Sequence, residues 1–338
     1  FAGCDIKTGS SKIMIGQCAG RNRENTSNNI FIGKESGCNA GTSGNNIGIG
    51  VEALKGDGGN HTQNIGIGGK AGANLTDGDH NFFGGYCAGK GTTTGCYNFA
   101  IGNKALGKNT LTGNDNIAIG LESGACATSA PRNIFLGRYS GKCTVTGQDN
   151  VFMGTYAGCN TYAACRSVAI GNRTGLNMGS GCNNVFIGNC VASVHNHSGT
   201  NSSVAIGDCA GMCMRVSGNN VFIGNRAGCK TCCANSNVFL GVDAGRCNVT
   251  GCLNIALGYS AGCVALTSGS KNVFIGAYSG TVYGTGHSCC LSIGFGYHDS
   301  WIVGDKDKNV GIGTTNPSCV GHVVGAGNTA RLSVGIVS

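Results

Sequence analysis

A five-residue phrase of the form Asn-aliphatic-x-aliphatic-Gly recurs along the whole chain, and this recurrence limits the possible folds more than any other feature. Its closing glycines are Gly16, Gly33, Gly50, Gly68, Gly85, Gly102, Gly120, Gly137, Gly154, Gly171, Gly188, Gly207, Gly224, Gly241, Gly258, Gly276, Gly294 and Gly313. They make 18 copies spaced 17 to 19 residues apart. A short period held from end to end marks a solenoid, in which each coil buries its apolar side only by stacking on its neighbours. The expected fold is therefore all-β, a parallel β-solenoid of about 18 coils. Residues 1–300 form the coils, and 301–338 hold the last copy, NVGIG, and a C-terminal transition segment. No separately folded second domain is expected.

Composition agrees. The chain has 63 Gly, 2 Pro and 11% charged residues, whereas ordinary globular domains carry roughly 25% charge. Glycine without a Gly-X-Y period excludes collagen, and 41% apolar residues is too many for plain disorder. The net charge of +8 is spread thinly, with no Lys/Arg run that would read as a nucleic-acid footprint. No apolar run reaches the roughly 18 residues that membrane insertion by a helix needs. Phe1 is followed by neither a basic region nor an apolar run, so the chain reads as a mature product or a fragment rather than one opening on a signal peptide.

Each phrase has strand character, since β-branched and aromatic residues dominate and a glycine ends it. The first position is Asn in 14 of 18 copies, and stacked Asn amides can hydrogen-bond along a parallel ladder. The second and fourth positions, almost always Ile, Val or Leu, share one face and are assigned to the coil interior. The third position then points outward. It is Phe at Phe31, Phe83, Phe135, Phe152, Phe186, Phe222, Phe239 and Phe274, and mostly Ala or Gly elsewhere. An exposed Phe column needs a cover, so these eight residues are expected to form an assembly face against further copies of the chain.

After the phrase come two variable residues and then Ala or Ser followed by Gly in 13 copies, which brings the opposite wall close and turns the chain. Such a coil has a thin core, and the 22 Cys recur at fixed offsets from the closing glycines. Equivalent positions in successive coils stack about 4.8 Å apart, within the Cα window of a disulfide, roughly 4.4 to 6.8 Å. Rung-to-rung pairs Cys126–Cys143, Cys165–Cys182, Cys190–Cys209, Cys213–Cys229 and Cys247–Cys263 are expected. Extensive pairing implies an oxidising, extracellular setting.

Competing chemistries have less support. Cys229, Cys232 and Cys233, or His195 and His197 near Cys190, could be metal ligands, yet a zinc site wants two such pairs converging. Acidic residues form no recurring close pair, and no Ser, His and Asp set stands out for catalysis. "GIGIG" and "GGYCAG" lack the following helix that a phosphate loop requires. The hexad of left-handed acyltransferase helices appears once per coil rather than three times. Ice binding wants a regular Thr file, and repeat calcium binding wants regular Asp; neither is present. No enzyme activity, cofactor or metal is expected.

"SVAIG", at 167–171 and 203–207, and "NIAIG", at 116–120, resemble the head repeats of trimeric autotransporter adhesins. "NKALGKNTLTGNDNIAIG", residues 103–120, is similar to the longer repeats of viral and bacterial tail fibres, and "NVGIGTTNPS", 309–318, resembles the stretch that precedes their stalks. This resemblance, covering residues 12 to about 318, implies a left-handed β-roll, a homotrimer, and a role as a fibre or attachment head that meets a host-surface receptor or glycan. A subunit polymerising end to end into a filament or sheath is the alternative. Asn25, Asn60, Asn74, Asn172, Asn196, Asn201 and Asn248 lie in Asn-x-Ser/Thr sequons, acceptors if the chain is secreted by a eukaryote or its virus.

Overall fold

A computed structural model describes residues 2–3, 8–22, 27–39, 41–56, 58–193, 200–264, 266–280, 286–296, 299–313 and 321–323. Among them there is no helix. The chain divides into two compact units between Asn183 and Asn184, where the sequence suggested one unbroken array. In unit 1 the phrases form β1 (Lys12–Ile15), β2 (Asn29–Ile32), β3 (Ile47–Ile49), β4 (Ile65–Ile67), β5 (Phe82–Gly84), β6 (Phe99–Ile101), β7 (Ile117–Ile119), β8 (Ile134–Leu136), β9 (Val151–Met153) and β10 (Val168–Ile170). Each pairs in parallel with the next, position for position, as in Ile117↔Ile134 and Ala118↔Phe135. The fold is a parallel β-solenoid.

Unit 2 repeats the design in β11 (Val185–Ile187), β12 (Val204–Ile206), β13 (Val221–Ile223), β14 (Val238–Leu240), β15 (Ile255–Leu257), β16 (Val273–Ile275) and β17 (Leu291–Phe295). There the parallel stack stops. β18 (Asp299–Gly304) turns back antiparallel onto β17, β19 (Val310–Ile312) pairs antiparallel with β18, and β20 (Gly321–Val323) pairs in parallel with β19. The eighteenth phrase is therefore not an eighteenth stacked coil. Its partner edge is already taken by the hairpin.

The strand faces are the reverse of the sequence reading. Phe31, Phe83, Phe135, Phe152, Phe186, Phe222, Phe239 and Phe274 are all fully buried within a single chain, while the second and fourth positions are half-buried or exposed. The Phe column is the core, not an assembly face. The cause is the width of the coil. Gly228, two walls away from Phe222 in the same turn, lies so close that an added Cβ would sit 2.8 Å from the Phe222 ring. Only one side chain per strand fits between those walls, and it is the third.

Volume within each coil is balanced. In four coils whose third position is small, a Leu or Met later in the turn fills the space: Leu75 with Gly66, Met178 with Ala169, Met214 with Ala205 and Leu266 with Ala256, the four larger residues all fully buried. Where it is Phe, the corresponding residue is small or polar, such as Thr144, Thr161 and Thr231. Close packing explains the exchange, since a void forfeits contacts and an overfilled core strains.

Three backbone devices complete the coil. The ladder Asn residues are buried, and each accepts from the next coil: Asn150 N donates to Asn133 Oδ1 at 3.0 Å while Asn133 Nδ2 donates to Gly147 O at 2.9 Å. Ser hydroxyls on the opposite wall donate back to the strand, as Ser123 Oγ does to Phe135 O at 2.8 Å. The closing glycines stack at positive φ; Gly50 has φ +132, and a Cβ there would stand 2.6 Å from Gly68 O. Among the described residues no β-branched residue occupies a positive-φ position, in keeping with its steric cost.

Candidate functional site

Because Phe points in, the Ile and Val columns point out. In unit 1 the second and fourth positions of ten strands are Ile, Val, Leu, Met or Phe at every place but Gly84. In unit 2 all fourteen such positions are Ile, Val or Leu. No charge interrupts either face. Ile117 and Ile119 are each 39% exposed, Ile101 37% and Ile223 39%. These side chains are regular because parallel pairing places like residues on successive rungs. The result in each unit is a two-column aliphatic stripe repeating at the strand spacing, roughly 4.8 Å.

The cysteines line up as the spacing predicts, with one pair joined. Cys165 and Cys182 are disulfide-bonded, their Cα atoms 4.7 Å apart. The other eight expected partners are thiols in the structure. Cys247 and Cys263 face each other with Sγ atoms 3.9 Å apart, and Cys213 N donates to Cys229 O at 3.0 Å, which sets Cys229 one residue short of the place opposite Cys213. Cys209 N donates to Asn189 O beside Cys190. Burial pushes the Cys229 thiol up to about 11 and also raises Cys213, Cys209 and Cys263.

Two runs place cysteines on consecutive rungs: Cys126, Cys143 and Cys159, and Cys213, Cys229, Cys247 and Cys263. Cys126 N donates to Lys142 O at 2.9 Å, next to Cys143, and Cys143 N donates to Cys159 O at 2.8 Å. A hydrogen bond from Cys126 pulls the Cys143 thiol down to about 7, aided by Lys142 and Lys108, and the Cys126 thiol rises because it holds that proton. Burial raises Cys159. Around the column, Lys142 Nζ lies 2.9 Å from Glu122 and 4.5 Å from the Tyr139 ring centroid. The sequence placed these three cysteines five or six residues after their closing glycines but did not single out their consecutive run.

Other expectations fare differently. Asn60, Asn74, Asn172 and Asn201 are exposed, whereas Asn248 is fully buried and donates to Gly251 O at 3.0 Å. Asn248 cannot accept a glycan in the folded chain, because its amide is inside the coil. Asn25, Asn196, His195, His197, Cys319 and the end of the NVGIGTTNPS stretch lie outside the described residues. Among the described residues no group of three or more His, Cys, Asp or Glu is placed to hold a metal, Cys229, Cys232 and Cys233 included. No helix among them is long and apolar enough to cross a membrane.

The fold and its faces thus define the chain as a cysteine-rich β-solenoid repeat protein. Compared with known protein families, with curated proteins and with solved structures, it finds no match.

Proposed function

We propose that the chain is a structural, non-enzymatic subunit of an extracellular or virion-surface fibre, assembling with copies of itself as a homotrimer through the aliphatic strand face. The observation that carries this reading is the uncharged Ile/Val stripe outside a core already filled by Phe. If each of the nineteen side chains of the unit 1 stripe leaves on the order of 50 Å² accessible, the stripe offers about 950 Å², above the roughly 800 Å² per partner of a stable interface. Its period argues for the occupant. A ladder of identical rungs stays in step over ten strands only with a surface of the same repeat, which another copy provides. Filament or attachment head is the role that the adhesin and tail-fibre resemblance supports, with a host-surface receptor or glycan as the partner of a head.

End-to-end polymerisation is less favoured, because the edge of β17 that a following coil would need is paired with β18. Light scattering on the purified chain tests assembly. Three chains per particle are expected, falling to one for Ile101→Asp/Ile119→Asp with β circular dichroism retained. A monomeric wild type, or a trimer unaffected by those substitutions, overturns the reading.

A further inference from the structure

We infer that Cys126, Cys143 and Cys159 form a three-sulfur exchange column with Cys143 as the shared member, a modification site for low-molecular-weight disulfides. Three sulfurs on consecutive rungs can hold only one disulfide among themselves. Cys126 stands opposite Cys143 on one side, and on the other Cys159 lies one residue short of opposite, the offset at which Cys247 and Cys263 bring their Sγ atoms to 3.9 Å, so Cys143 is a partner in either arrangement. Cys126 and Cys159 are two rungs apart, about 9.6 Å by strand spacing, beyond the roughly 7 Å Cα limit for a bridge. The geometry thus allows two pairings and excludes the third.

The chemistry is thiol–disulfide exchange, which needs a thiolate. Cys143 supplies it: Cys126 donates a hydrogen bond to it, and the ammonium groups of Lys142 and Lys108 stand near. The Cys143 thiolate attacks a small disulfide RSSR, forming a Cys143–SR mixed disulfide and releasing RS⁻. Cys126 then loses its proton and attacks the Cys143 sulfur, expelling a second RS⁻. The protein dithiol is oxidised to one disulfide and RSSR is reduced to two RSH. Migration needs no further oxidant. Cys159, as thiolate, attacks the Cys143 sulfur, the bond to Cys126 breaks, and Cys126 takes up the proton that Cys159 gave. The free thiol has moved two rungs.

The site is built for this more than the other columns. In the described structure Cys165 and Cys182 are already paired, and in the run Cys213, Cys229, Cys247 and Cys263 burial raises the Cys213, Cys229 and Cys263 thiols rather than lowering them. Cys143 sits half-buried between a half-buried and a buried neighbour. A small disulfide can reach it from outside, while Cys159 is only 6% exposed.

The test uses the full chain, reduced and then equilibrated with oxidised and reduced glutathione, quenched with N-ethylmaleimide and digested with chymotrypsin. That protease cuts after Tyr139, Phe152 and Tyr156, so the three cysteines fall in separate peptides. Mass spectrometry of the wild type should find Cys126–Cys143 and Cys143–Cys159 together and no Cys126–Cys159. Cys159→Ser should show only the first linkage and Cys126→Ser only the second. In the fully reduced wild type, Cys143 should be alkylated at least threefold faster than Cys126 or Cys159 at neutral pH. A single linkage in the wild type with Cys143–Cys159 absent from Cys126→Ser, a Cys126–Cys159 bridge, or equal alkylation of all three overturns the inference. The wild-type map requires no substitution, so a misfolded variant does not protect the proposal.

Discussion

The rings of Phe222 and Phe239 stack nearly parallel, 7° apart with centroids at 5.0 Å, inside two successive coils. Their backbones are partners in the parallel ladder, so one strand spacing sets the ring spacing as well. Coils carrying Phe in sequence become a column of stacked aromatics, and an adjacent small residue such as Ala256 is met by Leu266 instead.

Phe222→Ala should therefore destabilise unit 2 as a core truncation, by about 3 to 5 kcal/mol. Ile223→Ala, one residue along but facing out, should cost about 1 kcal/mol or less in the dissociated chain. Hydrogen exchange of the β12 to β14 amides checks both. Similar protection losses for the two would mean that Phe222 is not the buried member. Phe222→Asp/Phe239→Asp should melt these coils outright rather than merely separate subunits, since unpaired charges would lie in the core.

Asn133 is tied on both sides of the ladder, accepting from Asn150 N and Asn150 Nδ2 at 3.0 Å each and donating from Nδ2 to Gly147 O at 2.9 Å, while its backbone N donates to Asn116 Oδ1 at 3.0 Å. Asn133→Ala leaves buried backbone groups unpaired, at roughly 1 to 3 kcal/mol each. Asn133→Ser should be milder, because Ser203 holds the same place naturally and accepts from Asn220 N at 3.3 Å. Denaturant midpoints should rank wild type, Ser and Ala in that order.

Gly50→Ala should be among the costliest single methyl additions, because both φ +132 and the 2.6 Å approach to Gly68 O oppose a Cβ. A loss of at least about 2 kcal/mol is expected from strain alone. Retention of the wild-type melting temperature would show that the glycine column is not needed.

Glu122 is held below the usual carboxylate range by Lys142 and, more weakly, Lys108. Lys142 is raised by the same partner. For Glu122, the folded value lies below the unfolded one, so its stabilisation is complete above the unfolded carboxylate value and is lost as pH falls through the folded one. For Lys142 the stabilisation is complete below the unfolded amine value and is lost as pH rises through the folded one. Melting temperature against pH should drop at both ends, and Glu122→Gln should flatten the acid limb. An unchanged acid limb would discount the pair.

Strand positions, parallel register and the Asn ladder were legible in the sequence because each repeats at one offset. Facing was not, because alternation separates two faces without saying which is inside. Ile and Val in two columns looked like a core, and Phe in one looked like an interface. The decisive signal was present but dispersed: Leu75, Met178, Met214 and Leu266 occur in coils whose third position is small. Two positions that trade volume must share an interior. Asn248 was misread for a similar reason, since a sequon is local while its burial depends on the turn around it.

The ladder also sets the grain at which this chain tolerates length change. Within each unit's parallel stack a closing glycine leads, after one turn, to a residue equivalent to itself, so cutting the sequence from Gly137 to Gly154 rejoins like with like and returns each Asn to an Asn. Removing a single residue instead would move a fourth-position aliphatic, Met153 for example, into the buried place of Phe152. Coils are thus whole numbers: recombination between repeats can lengthen or shorten the stack by units, and the 17 to 19 residue spread shows where spare residues are absorbed, in the polar arc between the glycine turn and the next Asn.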